Sequence, residues 1–326
     1  MKRFLSGLIV LLLSSAGSLS GGSTPNNMTV TAFTDSWQVG CPAGVPAGVT
    51  TRFFIAANGD DTNTGTDEQH PWRFAPGMHN CSKNCSSAGN APSAGRGYIL
   101  RGGDTWHYGN SGASPYVGIT PSGNGSNCDA GNSCGWSIGG PRNPWTGTAA
   151  NPIYFGVDQT WFSGASWTWP TMDGDNPLSS SGVASCTHDD STFSFLQSWT
   201  GSTNFIVDNF EFTGLCWSGA NTSAVYVSIK NHFGGATTNR VVEDNYFHGW
   251  THVTFSCSAG PSGNCEAGLG AIDGPSDKTA GIGDRISHNV FNGTDNRPAK
   301  LQWHSLRGVH CRVQRVHAHG AGSHSQ

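Results

Sequence analysis

The chain has 326 residues, a formal net charge of −4 and only 12% charged residues. This balance, without a basic stripe, argues against nucleic-acid binding by phosphate neutralisation. Gly accounts for 46 residues, about twice the usual ~7% share. Together with 12 Trp, this composition is typical of exported β proteins that face carbohydrate.

Residues 1–20 have the pattern of a secretory signal. Lys2 and Arg3 precede the apolar run "LSGLIVLLL", and "SSAGSLS" then offers small residues for cleavage. The apolar run is about half the ~20 residues that a membrane span needs. We therefore expect a secreted (extracellular or periplasmic) protein without a membrane anchor. Residues 21–50, rich in Gly, Pro and Thr, predict an extended N-terminal segment.

The ten cysteines fit an oxidising compartment. The spacing suggests four disulfides, and Cys41 and Cys311 have no obvious partner. A zinc site is the alternative, but no CxxC pair occurs. The suggested pairs are Cys81 with Cys85, Cys128 with Cys134, Cys257 with Cys265, and Cys186 with Cys216.

From Arg52 onward the chain consists of short apolar bursts separated by Gly, Asn and Asp clusters. Examples in chain order are "RFFIAANGDD", "GYILRGGD", "NPIYFGVD", "AVYVSI" and "DRISHNVF". No segment has a sustained helical apolar stripe. Short strands with turn signals predict an all-β chain.

Three related phrases, "FIVDNFEFTG", "RVVEDNYFHG" and "RISHNVFNG", indicate an internal repeat. They align on Asn209, Asn245 and Asn289, at steps of 36 and 44 residues. Three positions before each Asn stand Ile206, Val242 and Ile286. This loose period predicts a solenoid with insertions of different lengths. Buried Asn side chains at its corners would satisfy backbone groups and bond to one another from coil to coil.

The stretch "FFIAANGDDTNTGTDEQHPW" resembles the N-terminal signature of secreted right-handed parallel β-helix proteins, the pectate-lyase-like or polysaccharide-lyase-like superfamily. "GYILRGGDTWHYG" and the Asn phrases resemble later coils, so the resemblance covers roughly residues 52–296, and a β-helix domain is predicted over residues 51–296. It implies a right-handed parallel β-helix with long loops. It does not fix one activity, because the fold serves lyases, hydrolases, epimerases and adhesins.

Two regions depart from the family pattern. Where relatives usually begin a capping helix, "RFAPGMHNCSKNCSS" contains Pro76 and Gly77, which predict a poor helix. Residues 297–326 are basic and rich in His, with no strand rhythm. They are interpreted either as an artefact of a lost frame or C-terminal truncation, or as a genuine tail with a metal-binding His317-x-His319 pair.

The alternating strand "SAVYVSIKN" predicts an outward catalytic column. With Val227 inward, Ser228 and Lys230 point outward. One coil later Ile272 would be inward and Asp273 outward, and one further Lys300 would be outward. Lys230, Asp273 and Lys300 would suit elimination from a uronate, with a cation-flanked Lys as the base. The alternative is that all three are ordinary solvated charges.

Acidic residues suggest two further arrangements. Asp273, Asp277 and Asp284 lie in or beside a Gly-rich loop and are candidate Ca²⁺ ligands, although turn formation also explains them. Asp208 and Asp244 each precede a repeated Asn, and His288 holds the same slot. This column could serve an inverting hydrolase, or could simply solvate a corner.

Aromatic residues supply candidate sugar-binding surfaces. Tyr226 is on the outward face of its strand, and Trp161, Trp167 and Trp169 cluster in "WFSGASWTWP". Packing of a loop against the coils explains the Trp cluster equally well. The sequence thus predicts a secreted, monomeric, carbohydrate-active β-helix protein. A polysaccharide lyase on an acidic glycan is favoured over a hydrolase. A non-catalytic glycan-binding or adhesion solenoid and an inactive truncated fragment are the alternatives.

Overall fold

The computed structural model describes residues 44–118, 133–140, 144–177, 184–188, 193–198, 201–217, 224–228, 239–249, 251–252, 269–273, 283–293 and 316–318. The chain divides into units at 1–39 and 40–326, and every described residue belongs to the second. The predicted boundaries at residues 20, 50 and 296 stay predictions. Within the described residues, no helix is both long and apolar enough to span a membrane.

The described structure is all-β, with a single three-residue 3-10 helix at Ala88–Asn90 among the described residues. The described strands form three sheets and one short pair. In the pair, Cys216–Trp217 (β10) lies beside Thr251–His252 (β14). Sheet 1 contains, in spatial order, Thr51–Ile55 (β1), Arg96–Leu100 (β2), Ile153–Gly156 (β5), Phe205–Asp208 (β8), Val241–Glu243 (β12) and Arg285–Ser287 (β16). Sheet 2 contains Ser133–Ile138 (β4), Phe193–Ser198 (β7), Ala224–Ser228 (β11) and Leu269–Asp273 (β15). Sheet 3 contains Thr105–His107 (β3), Thr171–Asp173 (β6), Glu211–Thr213 (β9), Tyr246–His248 (β13), Val290–Gly293 (β17) and Val316–Ala318 (β18).

All pairings between these strands are parallel. From β2 to β15 the chain visits sheet 1, sheet 3 and sheet 2 in a fixed rotation, so each sheet gains one strand per repeat. Such non-local parallel pairing requires long connections between partners. The prediction of an all-β chain with parallel sheets is confirmed.

The interior consists of side-chain columns that run from strand to strand. In sheet 3 the rings of Phe212 and Phe247 stack with centroids 5.0 Å apart, and Phe291 follows at 5.2 Å. In sheet 2 the buried Val227 pairs in register with the buried Ile272, as the alternating pattern predicted. The sheet 1 column contains Phe53, Tyr98, Phe155, Val207, Val242 and Ile286.

The first sheet 1 strand is covered by an irregular loop. Trp72 stacks on Phe53 at 4.7 Å, and Asp61 accepts backbone N–H bonds from Arg73, Phe74 and Ser82 at 2.9 to 3.1 Å. Residues 73–87 form turns and bends, as expected from their poor helix propensity. Two of the suggested disulfides are present, Cys81–Cys85 within this loop and Cys186–Cys216. Cys134 is also disulfide-bonded, and its suggested partner lies outside the described residues.

A ladder of buried Asn side chains joins successive repeats. Asn245 Oδ1 accepts a hydrogen bond from the backbone N–H of Phe210 (2.9 Å), and its Nδ2 donates to Val207 O and to Asn289 Oδ1. Asn289 Nδ2 in turn donates to Val242 O at 2.8 Å. Each amide therefore bonds to the preceding repeat, and the predicted ladder is confirmed for Asn245 and Asn289.

Asn209 does not belong to this ladder, and here the sequence alignment was shifted by one residue. The register pairs Val242 with Val207, not with Ile206. Phe210 therefore occupies the ladder position of the first phrase. Asn209 instead takes the preceding slot, where all three residues have positive φ: Asn209 (61°), Asp244 (56°) and His288 (56°). The first phrase has one residue fewer between its buried Val and its Asn, which causes the shift.

Candidate functional site

The outward face of sheet 3 presents a band of polar and aromatic side chains. Because strand side chains alternate, the residues flanking the buried column Trp106, Met172, Phe212 and Phe247 point away from the interior. On one side of that column are Thr105, Thr171, Glu211 and Tyr246, and on the other are His107, Asp173, Thr213 and His248. We call this surface the sheet 3 face.

A first His–carboxylate pair lies at the β3 end of the sheet 3 face. His107 Nδ1 is 2.6 Å from Asp175 Oδ1. The other Asp175 oxygen accepts N–H bonds from Gly109 (3.1 Å) and Asn110 (2.8 Å). Asp175 has a φ of 61°, a left-handed conformation that Asp tolerates better than most residues. These contacts fix both the carboxylate and the imidazole.

Asp173 lies next to this pair and has a perturbed carboxyl group. Burial raises its pKa above the usual 3.8, and the charges of Asp175 and Glu211 act in the same direction. The N–H of Asp175, which donates to Asp173 Oδ1 at 2.8 Å, and the charge of His107 oppose the rise. Asp173 Oδ1 is so close to Gly214 that a Cβ there would lie 2.4 Å away. A carboxyl group with a raised pKa keeps its proton to a higher pH, which is the direction that a proton donor requires.

A second His–carboxylate pair lies one repeat further along. His248 Nε2 is 2.6 Å from Glu211 Oε1, and Thr171 Oγ1 donates to Glu211 Oε2 at 3.1 Å. The ring of Tyr246 stacks on His248 with centroids 4.3 Å apart and an interplanar angle of 15°. Glu211 and Asp173 therefore stand on the neighbouring strands β9 and β6 of the same face.

An aromatic row borders these acids. Trp169 lies 5.9 Å from Tyr246 between ring centroids, and Trp167 lies 5.5 Å from Trp169. Both Trp side chains are half-buried. Flat aromatic faces beside carboxylates can pack against the apolar faces of sugar rings while the acids reach the glycosidic oxygen.

The residues expected to bind sugar are placed at different locations. Trp167 and Trp169 belong to the aromatic row. Trp161 is buried, contacts Phe54 edge-on at 5.2 Å and has the Arg101 guanidinium over its ring, so it packs against the outside of sheet 1. Tyr226 is on β11 of sheet 2.

The expected catalytic and Ca²⁺ residues are not brought together among the described residues. Asp273 is on β15 of sheet 2, opposite Ser228, and Lys230, Lys300 and Asp277 lie outside the described residues. Asp284 is buried, and its carboxylate bonds to the Arg240 backbone N–H (2.9 Å) and Nε (3.0 Å). Its carboxylate thus bonds to a buried cation, and its expected role as a Ca²⁺ ligand stays a prediction.

Sequence reasoning missed His107, Asp173, Asp175 and Glu211. The usable signal was the three-residue alternation in "TWH", "TMD", "EFT" and "YFH", in which an apolar residue stands between two polar or aromatic ones. Strands this short are easily read as turns. Their common face became visible only through the register of sheet 3.

Among the residues that the structure describes, two groups of side chains could hold a metal ion. In each, one potential ligand atom per residue lies within 4.8 Å of the others. One group is His107, Asp173 and Asp175 on the sheet 3 face. The other is Glu243, Asp244 and His288, at the corner between sheets 1 and 3.

Asp208 is the most perturbed acid at that corner, and its position corrects the column expected from sequence. It pairs in register with Glu243 rather than with Asp244, and it is buried. Tyr154 Oη donates to Asp208 Oδ2 (2.8 Å) and Asn209 Nδ2 donates to Oδ1 (2.6 Å). Burial raises the pKa of Asp208 to about 7, and the charges of Asp244 and Glu243 add to the rise, while the two hydrogen bonds oppose it.

This raised pKa predicts a specific pH dependence of stability. The folded Asp208 holds its proton more strongly than the unfolded residue, whose pKa is near 3.8. The free energy of unfolding should therefore fall as the pH rises from about 4 to about 7, on the order of a few kcal/mol. Asp208→Asn, which mimics the protonated acid, should flatten this fall, whereas Glu68→Gln at an exposed position should preserve it. Urea unfolding across this range measures the difference, and an equal slope in Asp208→Asn would contradict the assignment.

Comparisons with known proteins give the following result. No family model matches the chain, and no curated protein matches it. Among solved structures, the GH136 lacto-N-biosidase from Eubacterium ramulus is similar at 13% identity and a TM-score of 0.38, over 74% of this chain and 34% of that one. A rhamnogalacturonan lyase is similar at 11% identity and a TM-score of 0.35, over 74% and 68%. The pectate lyase Pel9A is similar at 13% identity and a TM-score of 0.22, over 83% and 80%. The chain spans about a third of the length of the lacto-N-biosidase.

Proposed function

We propose that this protein is a secreted carbohydrate-active enzyme, built as a right-handed parallel β-helix, that hydrolyses glycosidic bonds on the sheet 3 face. The observation that carries the proposal is the placement of Asp173 and Glu211 on neighbouring strands beside the aromatic row. The fixed rotation of the chain through three parallel sheets supports the β-helix. The signal-like start and the disulfides support secretion.

In the proposed reaction, a sugar ring packs on Trp169 and Tyr246 and places its glycosidic oxygen at Asp173. Asp173, whose pKa is raised by burial, donates a proton to that oxygen as the C1–O bond breaks. Glu211 takes a proton from the water whose oxygen bonds to C1. Thr171 and His248 hold the Glu211 carboxylate in place for this step.

Hydrolysis suits this face better than elimination from a uronate. A polyuronate would bring further negative charge beside Asp175 and Glu211, and like charges are repelled at close range. The two imidazoles on the face are already paired with carboxylates. The lyase expected from sequence would instead use Lys230, Asp273 and Lys300 with Ca²⁺. It remains a second proposal, which the sheet 3 geometry does not support.

The deciding experiment incubates the purified full-length chain with neutral polysaccharides and with uronate polymers, each with and without added Ca²⁺. Hydrolysis is expected to release new reducing ends from a neutral glycan without products that absorb in the near ultraviolet. Absorbing unsaturated uronates would support the lyase and overturn the hydrolase. Retention on a glycan column without any cleavage would overturn both and support the adhesion solenoid.

A further inference from the structure

The corner between sheets 1 and 3 carries a group of ligating side chains that the proposed hydrolysis does not use. Glu243, Asp244 and His288 come from two successive repeats, and their potential ligand atoms lie within 4.8 Å of one another. Asp244 and His288 occupy the same positive-φ slot in their respective repeats. That slot is set by the backbone, so the two side chains are brought together by the stacking of repeats.

The distance between the His288 and Asp244 side chains fits two ligands of one metal ion better than a direct hydrogen bond. His288 Nδ1 and Asp244 Oδ1 are 4.0 Å apart, beyond hydrogen-bond distance. Zinc–nitrogen and zinc–oxygen bonds are about 2.0–2.2 Å, so two atoms bound to the same ion lie roughly 3–4 Å apart. The Asp244 side chain is 6% exposed and that of His288 is 37% exposed. The group is therefore enclosed on one side and open to entering ions on the other.

A separate observation at Asn209 also indicates a missing ligand. Asn209 occupies the same slot one repeat before Asp244, and it is fully buried. Its Nδ2 donates to Asp208, but among the described residues its Oδ1 has no hydrogen-bond donor. A buried amide oxygen without a partner is costly, so a cation or a cation-bound water in this slot would stabilise it.

We propose that Glu243, Asp244 and His288 form a binding site for a divalent transition ion, with Zn²⁺ as the representative, and that Asn209 supplies a further oxygen toward it. An imidazole combined with carboxylates favours Zn²⁺ over Ca²⁺, which takes oxygen ligands. Because the site joins two repeats, its role is to hold them together.

One neighbouring cation competes for the same ligands. Arg285 Nη2 lies 2.6 Å from Glu243 Oε2, which also accepts from Ser287 Oγ at 3.2 Å. The Arg285 side chain is 49% exposed. The site therefore gains affinity if Arg285 is removed, an effect that a merely structural ion pair would not produce.

The test is calorimetric titration of the full-length, chelator-treated protein with Zn²⁺. Asp244→Asn and His288→Asn should each remove one equivalent of Zn²⁺, or weaken it by at least about tenfold. Asn is well tolerated at positive φ, so both variants should fold. Arg285→Met should bind more tightly. The matched control is His70→Asn, because His70 forms an exposed pair with Asp67, and it should match wild type.

Other outcomes would overturn the proposal. If Asp244→Asn and His288→Asn keep the wild-type number and affinity of sites, the corner does not bind Zn²⁺. If only His107→Gln binds one equivalent of Zn²⁺ fewer than the wild type, the ion belongs to the group on the sheet 3 face. If a variant is unfolded by circular dichroism, the ring protons of His288 in the wild type decide, since they must shift on adding one equivalent of Zn²⁺. Glycan cleavage does not enter any of these readouts, so this proposal and the hydrolase proposal fail separately.

Discussion

Asp173→Asn is expected to lower kcat for glycan hydrolysis by roughly 100- to 10,000-fold while leaving glycan affinity nearly unchanged. Asn keeps the shape of the protonated acid but has no proton to donate to the leaving oxygen. The aromatic row, which supplies the contact with the sugar, is untouched. Steady-state release of reducing ends measures kcat, and binding to a non-cleaved oligosaccharide measures affinity.

The pH profile separates a proton donor from a residue that only shapes the face. In the wild type, activity should decline on the alkaline side as Asp173 loses its proton, and Asp173→Asn should lack this limb. Glu211→Gln should also lower kcat, because it removes the group that takes the proton from water. Glu68→Gln, an exposed carboxylate outside the sheet 3 face, is the control and should match wild type in rate and profile. An Asp173→Asn enzyme with wild-type kcat would eliminate Asp173 as the acid.

Arg240→Met is expected to destabilise the fold by about 3–5 kcal/mol. Arg240 and Asp284 have fully buried side chains, and removing the guanidinium leaves the Asp284 carboxylate charged and without its main partner. The matched control is Arg52→Met. Arg52 pairs with Asp158 at 3.4 Å with 44% of its side chain exposed, and this substitution should cost no more than about 1 kcal/mol.

A double variant tests the cause of that loss. Arg240→Met with Asp284→Leu removes both charges, so no buried charge remains unpaired, and much of the stability should return. Chemical unfolding monitored by intrinsic Trp fluorescence gives the free energies of unfolding of the wild type, Arg240→Met, Arg52→Met and the double variant. If Arg240→Met loses no more than Arg52→Met, the buried pair does not stabilise the protein. If the double variant is as unstable as the single one, lost packing rather than unpaired charge is the reason.

Much of the fold could be predicted from the sequence, because the strands alternate apolar and polar residues and the Asn phrase recurs along the chain. The inward positions of Val227 and Ile272 followed from strict alternation, and the Asn245–Asn289 contact followed from the recurrence of one phrase. The Cys186–Cys216 pairing was suggested by spacing and is present. The first two of these depend on near neighbours or on a period, which sequence displays directly, whereas the two cysteines are 30 residues apart.

The register and the site were less accessible, for related reasons. One residue fewer in the first phrase moved Asn209 out of the ladder, and only the strand pairing reveals the shift. The sheet 3 face draws its acids from β6 and β9, which are three residues each and lie 40 residues apart. Asp284 was read as a loop acid because its partner, Arg240, is 44 residues away. Long-range register decides such contacts, and no local pattern encodes it.

The direction of the Asn ladder sets an order of assembly. Asn245 can complete its hydrogen bonds to Val207 and Phe210 only when β8 and β9 are already in place, and Asn289 has the same need for β12. Each repeat is thus a template for the next, and growth from the N-terminal side lets each new Asn bond at once to the repeat already formed. Such a chain would fold by propagation along its axis, in the direction in which the ribosome releases it.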